Sequence, residues 1–280
     1  MNERISGRQL RALVLTAGAA PVFSLTCSLG WAWAAAAGAA VWGILWLLFA
    51  FWPVDPPRPV RAVGAVLWFA LAVWAGRMSA ESFPETARSA AAAALITGLA
   101  ALAAGRGPAV LGRCAGILIW ITAALFGVVL ICGLTQMRTE WLRPSDCRPA
   151  LRPAAVLLLP AAALPLRGRT EGGAGRGFGA VFGISAAAAA AAGAVIVGVL
   201  SPALAREPMA FLTLARSVSI LGVIQRFEAL ISGALLMSGF CLCALLLSAL
   251  REELLHLFGE RDGRRCSLAA AALCAAAAWI

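Results

Sequence analysis

Residues able to carry chemistry are few in this chain, and most sit against apolar runs. The stretch SILGVIQRFEALISGALLMSGFCLCALLLSAL (219–250) is apolar except for Gln225, Arg226 and Glu228 near its start. Charge in hydrocarbon is costly, so such groups face a protein interior, pair, or mark a functional path. On a helix Arg226 and Glu228, two apart, do not face one another, whereas Gln225 and Glu228, three apart, do. Two placements follow. In one, these residues point into a helix bundle as an intramembrane polar pair. In the other, Ala229 to Leu250 already supplies the roughly 20 residues of a span, and the three polar residues lie at the membrane border.

The remaining polar clusters offer little. REELLHLFGERD (251–262) gathers carboxylates beside arginines and is expected to be a solvated amphipathic connector. His256 is the single histidine, and the chain has no HExxH, no GxSxG and no CxxC among its eight cysteines. Acid–base, nucleophilic and metal chemistry therefore lack their usual groups, and neither an enzyme, a metal site nor a cofactor is expected. The cysteines are expected to act as small buried hydrophobes. RGRTEGGAGRGFG (167–179) is glycine-rich but matches neither GxGxxG nor the P-loop pattern, so a loop is expected there.

Two proline-bearing stretches are more informative. TAGAAPVFS places Gly18, Ala19 and Pro21 in the middle of an apolar run. Proline removes an amide donor and clashes with the preceding turn, so the helix should kink or open there. An opened helix frees backbone groups that bind a ligand, as in transporters with broken helices; a kinked one merely packs. PAAVLLLPAAALP carries Pro153, Pro160 and Pro165 and is the second interrupted segment. Interrupted segments in corresponding positions of two halves point to an inverted repeat, with Gly18, Ala19, Pro21 and Pro160 as candidate ligand contacts.

Elements must position these residues, and composition says which kind. Hydrophobic residues make up 62% of the 280, and only 13% are charged, against roughly a quarter in soluble domains. Apolar blocks separated by short arginine-bearing gaps describe an all-α polytopic integral membrane protein, because each span must satisfy its own backbone hydrogen bonds. Nine apolar segments are visible, with eight to ten spans expected. They are 13–29, 31–52, 60–75, 87–104, 115–134, 153–166, 178–200, 219–250 and 267–280. The sixth and ninth are short, and the third is marginal. With the N-terminus cytoplasmic, fourteen arginines fall on the cytoplasmic side and eight on the other, as the positive-inside rule prefers. Net charge of +10 thus belongs to loops, and nucleic acid is not an expected partner. Trp31, Trp33, Trp52 and Trp74 fall near segment ends, where indole favours the interface; Trp120 is deeper and is expected to pack against neighbouring helices.

Four stretches carry a family resemblance. ERISGRQLRALVL (3–15) resembles the amino-terminal "IS..Q" signature of the spore germination permeases, the GerAB-type B subunits of spore germinant receptors. ESFPETARSAAAAAL (81–95) resembles their "LP.TP" segment, with Ala87 in place of the second proline. GRGPAVLGRCAGIL (105–118) is similar to their approach to the fifth span. LARSVSILGVIQRFEAL (214–230) resembles "R.isi..fieRiE", keeping Arg226 and Glu228 while Gln225 replaces a glutamate. The resemblance implies an amino acid–polyamine–organocation (LeuT-like) fold with inverted repeats, 1–134 and 149–280. The chain is shorter than the family pattern, so the second repeat is expected to be incomplete. It also implies a role in sensing or passing a small germinant, such as an amino acid, beside A-type and C-type subunits in a spore inner membrane or a bacterial cell membrane. The alternatives are an amino acid secondary transporter and a non-sensing structural membrane subunit.

Overall fold

The computed structural model describes residues 4–25, 56–80, 90–142, 159–171, 178–204, 209–217 and 227–279, together with positions 40, 43, 44 and 47. The long elements are helices: α1 (Gly7–Leu25), α2 (Arg58–Ala80), α3 (Ala90–Gly105), α4 (Pro108–Gln136), α5 (Phe178–Leu204), α6 (Ala210–Ser217) and α7 (Glu228–Trp279). The strands are two-residue pieces, β1 (Ile5–Ser6) and β2 (Thr170–Glu171), paired in parallel with Ile5 opposite Thr170.

Helix α1 starts ahead of the 13–29 apolar segment, at a side-chain cap. The Ser6 hydroxyl accepts from the Gln9 amide at 3.2 Å, and the Gln9 side-chain carbonyl accepts from the Ser6 amide at 3.2 Å. This reciprocal capping box satisfies two otherwise orphaned donors, and it gives the "IS..Q" motif a local structural reason. Of the kink and the opening that Pro21 allowed, the structure shows no opening: α1 runs unbroken through it. Gly18 and Pro21 are buried and Ala19 is half-buried; Pro21 has no amide to donate to the Ala17 carbonyl one turn earlier, and Ala17 is enclosed in the core. Neighbouring helices hold it closed across the lost hydrogen bond.

Contacts across the bundle set the helix directions. Phe23 of α1 lies 4.2 Å from Phe126 of α4, centroid to centroid, and Thr16 donates to the Ala115 carbonyl, so α1 and α4 run parallel. Helix α7 runs against α2: Gly239 lies on Ser79, the Cys243 thiol reaches the Ala72 carbonyl at 3.9 Å, and Glu253 meets Arg61. At Gly259 the backbone leaves the helical region, with φ 80° and ψ 172°, a conformation that glycine adopts without steric cost. The chain then doubles back along α2, with Cys274 at the Phe69 carbonyl (3.8 Å) and Arg77 donating to the Ala277 carbonyl (2.8 Å).

Within lipid, helices associate through close packing more than through the hydrophobic effect. Gly239 against Ser79 is such an approach: a Cβ there would collide with the serine side chain. The helix at the centre is α7, whose residues 241–250 are all buried. Helix α4 is its opposite, exposing Ile117, Trp120, Ile121, Ile131 and Leu134. Trp120 is 77% exposed, so the expectation that it packs against neighbouring helices is corrected: it lies on the bundle's outer apolar face.

Four helices are long and apolar enough to cross a membrane, at Arg58–Ala80, Pro108–Gln136, Phe178–Ser201 and Glu228–Gly259. The chain is an all-α integral membrane protein whose outer surface suits lipid. The expected nine spans and LeuT-like repeat are not what the described residues form. The third segment extends to a full-length helix, but the fourth is α3, only 16 residues, short of the roughly 20 a span needs. The described part of the sixth, Leu159–Ala163 and Pro165–Arg169, is 3-10 helix, consistent with Pro160 and Pro165 removing amide donors. Ala161, Ala162, Ala163 and Leu166 there are buried, as irregular backbone at membrane depth must be. The second segment, apart from four positions, lies outside the described residues.

Candidate functional site

Two places combine burial with groups that could act. The first is a cavity of about 270 Å³ between α1, α4 and α5. From α1 it is lined by Leu15, Gly18, Ala19, Val22 and Phe23; from α4 chiefly by Ile119, Thr122, Ala123 and Phe126; from α5 by Ile184, Ser185 and Ala188. Its two hydroxyls are turned back onto their own helices. Thr122 donates to the carbonyls of Leu118 (2.9 Å) and Ile119 (3.2 Å), and Ser185 donates to Val181 (3.0 Å). Such a hydroxyl has used its proton but keeps acceptor capacity. The cavity therefore suits an apolar body carrying one donor. Phe211 of α6 packs on Phe23 and Phe126, at 4.7 and 5.6 Å, and completes an aromatic cluster beside it.

Of the candidate ligand contacts, Gly18 and Ala19 do line this cavity. Pro21 is buried beside it without lining it. Pro160 lies in the 3-10 segment that packs on α1, and its side chain is outside the described residues.

The second place is the end of the bundle where α1 and α2 begin and α3 stops. Three consecutive residues of α7 bind three different elements there. Arg251 donates to the carbonyls of Ala104 (2.9 Å) and Gly105 (3.1 Å), closing the last turn of α3. Glu252, 3% exposed, pairs with Arg169 at 2.7 Å. Glu253, 6% exposed, faces Arg61 of α2 at 3.6 Å, while Arg61 also donates to the Pro56 carbonyl at 3.0 Å. Successive residues on a helix point about 100° apart, which is why neighbours in sequence reach separate partners. This corrects the reading of 251–262 as a solvated connector for its first three residues, while His256, Phe258, Gly259 and Asp262 are exposed as that reading expects. The signal for it lies just upstream: a run apolar on all sides marks an enclosed helix, and one further turn keeps Glu252 and Glu253 in the same enclosure.

The polar residues at the opposite end behave differently. Glu228 is the first residue of α7, where a negative charge complements the helix dipole, and it pairs with Arg216 of α6 at 2.5 Å. Their side chains are 39% and 66% exposed. Glu228 thus stands at the mouth of the bundle with Arg216 as its partner, not pointing inward as an intramembrane pair. Gln225 and Arg226 lie outside the described residues. No cluster of three or more metal-ligating side chains occurs among the described residues. In comparisons of the sequence with known proteins, no family model and no curated protein matches the chain.

Proposed function

We propose that this chain is a membrane subunit of the spore germinant receptor type, binding a small, largely apolar molecule in the cavity beside Gly18 and Ala19. The observation that carries the binding reading is the cavity itself, which opens next to the two α1 residues whose sequence context suggested a ligand contact. The family reading is supported by the four motif stretches and by the capping box that Ser6 and Gln9 form within one of them. In this reading the ligand's apolar part fills the cavity, and an amine or hydroxyl proton is accepted by Thr122 or Ser185. Bulk carriage across the bilayer is not part of the reading, because α1 remains helical through Pro21 and the carbonyl that Pro21 leaves without its helical donor belongs to Ala17, which is enclosed in the core and does not line the cavity.

The test uses the purified full chain in lipid nanodiscs and a panel of apolar amino acids with their matching amines. Amines should bind at least as well as the amino acids, since no charged side chain lines the cavity to receive a carboxylate. Gly18→Leu should fill the cavity and weaken binding by roughly tenfold or more, a loss of about 1.4 kcal/mol. Pro21→Ala should leave binding nearly unchanged. Absence of binding across the panel would overturn the ligand reading. It would leave the second reading, a non-sensing structural subunit, which the cross-links made by Arg251, Glu252 and Glu253 favour. That reading expects association with an A-type partner whether or not germinant is present.

A further inference from the structure

The buried Arg61–Glu253 contact leaves polar atoms unanswered. Trp68, 8% exposed, has an indole N–H with no hydrogen-bond partner, and Oε2 of Glu253 likewise has none. At 3.6 Å, Oε2 and the Arg61 guanidinium attract electrostatically but exceed hydrogen-bonding distance. The Trp68 indole N–H and the other carboxylate oxygen of Glu253, Oε1, meet at Gly64, one turn before Trp68 on α2. A Cβ placed on Gly64 would lie 3.6 Å from the indole nitrogen and 3.6 Å from Oε1 of Glu253, with no neighbour closer. The absent side chain leaves a notch whose walls are one donor and one carboxylate. A buried indole N–H is normally satisfied by protein or by a bound molecule, and here the nearest acceptor across the notch is the Glu253 carboxylate.

We propose that the Gly64 notch is a binding site for one small neutral hydroxyl group, water or the hydroxyl of a small alcohol, bridging Trp68 and Glu253. The chemistry selects the class. The occupant must accept from the indole and donate to the carboxylate. An ammonium ion or a metal cation cannot accept from an N–H and is repelled by Arg61. An anion is repelled by Glu253. A neutral hydroxyl does both, and a water bridging two such groups is nearly as favourable as a direct bond. The occupant joins α2 to α7 at the arginine-rich end, so this contact depends on an exchangeable molecule.

The experiment uses the full chain, labelled with nitrogen-15 tryptophan, in nanodiscs, with the Trp68 indole resonance assigned through Trp68→Phe. Wild type should show magnetisation transfer from water to the Trp68 indole proton, or a shift of that resonance on titration with methanol or ethanol. The first outcome identifies water as the occupant and the second an alcohol hydroxyl. Gly64→Ala fits without collision, so it should keep the helical circular dichroism while abolishing both signals. Glu253→Gln, which retains an acceptor, should keep the transfer with an altered shift. A wild-type indole in contact with neither water nor alcohol would overturn the proposal. So would transfer unchanged in Gly64→Ala.

Discussion

The pair Glu252–Arg169 allows a prediction with a definite asymmetry. Its two members are unequally enclosed: the Glu252 side chain is 3% exposed and that of Arg169 34%. Replacing Arg169 by Met strands a carboxylate that cannot reach water, the situation in which breaking a buried ion pair costs about 3–5 kcal/mol. That is a roughly 150- to 5,000-fold loss in the folding equilibrium constant. Replacing Glu252 by Gln leaves a guanidinium already one-third in solvent, on a long stem that can swing outward. Its cost should be nearer that of one charge-assisted hydrogen bond, about 1.5–3 kcal/mol. Replacing both with apolar residues of similar volume, Arg169→Met with Glu252→Leu, removes attraction and desolvation together and should cost less than Arg169→Met alone. Equilibrium unfolding in mixed micelles, followed by tryptophan fluorescence, measures all three variants. Equal costs for the two single variants, or a double variant as damaged as the sum of the singles, would refute the assignment of Glu252 as an enclosed, Arg169-dependent charge.

Other expectations follow from local geometry. Ser6→Ala removes the hydroxyl that caps α1 and should cost about 1 kcal/mol in the same assay, with Ser6→Asp restoring most of it. Gly239→Ala drives a methyl into Ser79, and such overpacking should destabilise by about 1–3 kcal/mol; combining it with Ser79→Gly should recover much of the loss. Arg216→Ala should change stability by about 1 kcal/mol or less, since its pair with Glu228 is exposed; a larger loss would mean that Glu228 is more enclosed than its position suggests.

Much of the architecture was legible in particular stretches. The 115–134 run falls within α4 and the 13–29 run overlaps α1, although Pro108 and the Ser6–Gln9 cap start both helices earlier than the apolar runs begin. Span lengths were less legible, because apolar composition does not say where a helix stops. The 60–75 run becomes the 23-residue α2, whereas the described residues of the alanine-rich fourth run form the 16-residue α3. Proline left a choice at one site and guided at another. Pro21 left a kink and an opening both in play and the helix continues through it, while Pro160 and Pro165 accompany true 3-10 backbone. The candidate ligand contacts fared similarly: Gly18 and Ala19 line a cavity, but through their small size and not through freed backbone.

The sequence by itself determined that this is a helical membrane protein, since backbone satisfaction in lipid depends only on local apolar length and composition. It also determined where charge is scarce enough to matter. What tertiary structure alone decided is which charges are enclosed. Glu228, within an apolar run, emerges at a helix end beside an exposed arginine, while Glu252 and Glu253, in a stretch that reads as solvated, are buried against Arg169 and Arg61. The reason is physical: exposure of a helical residue is set by how many neighbours surround its turn. That depends on α2, α3 and the 3-10 segment arriving around α7 from distant parts of the chain; the apolar run upstream marks the enclosure, but nothing local says how far along α7 it reaches.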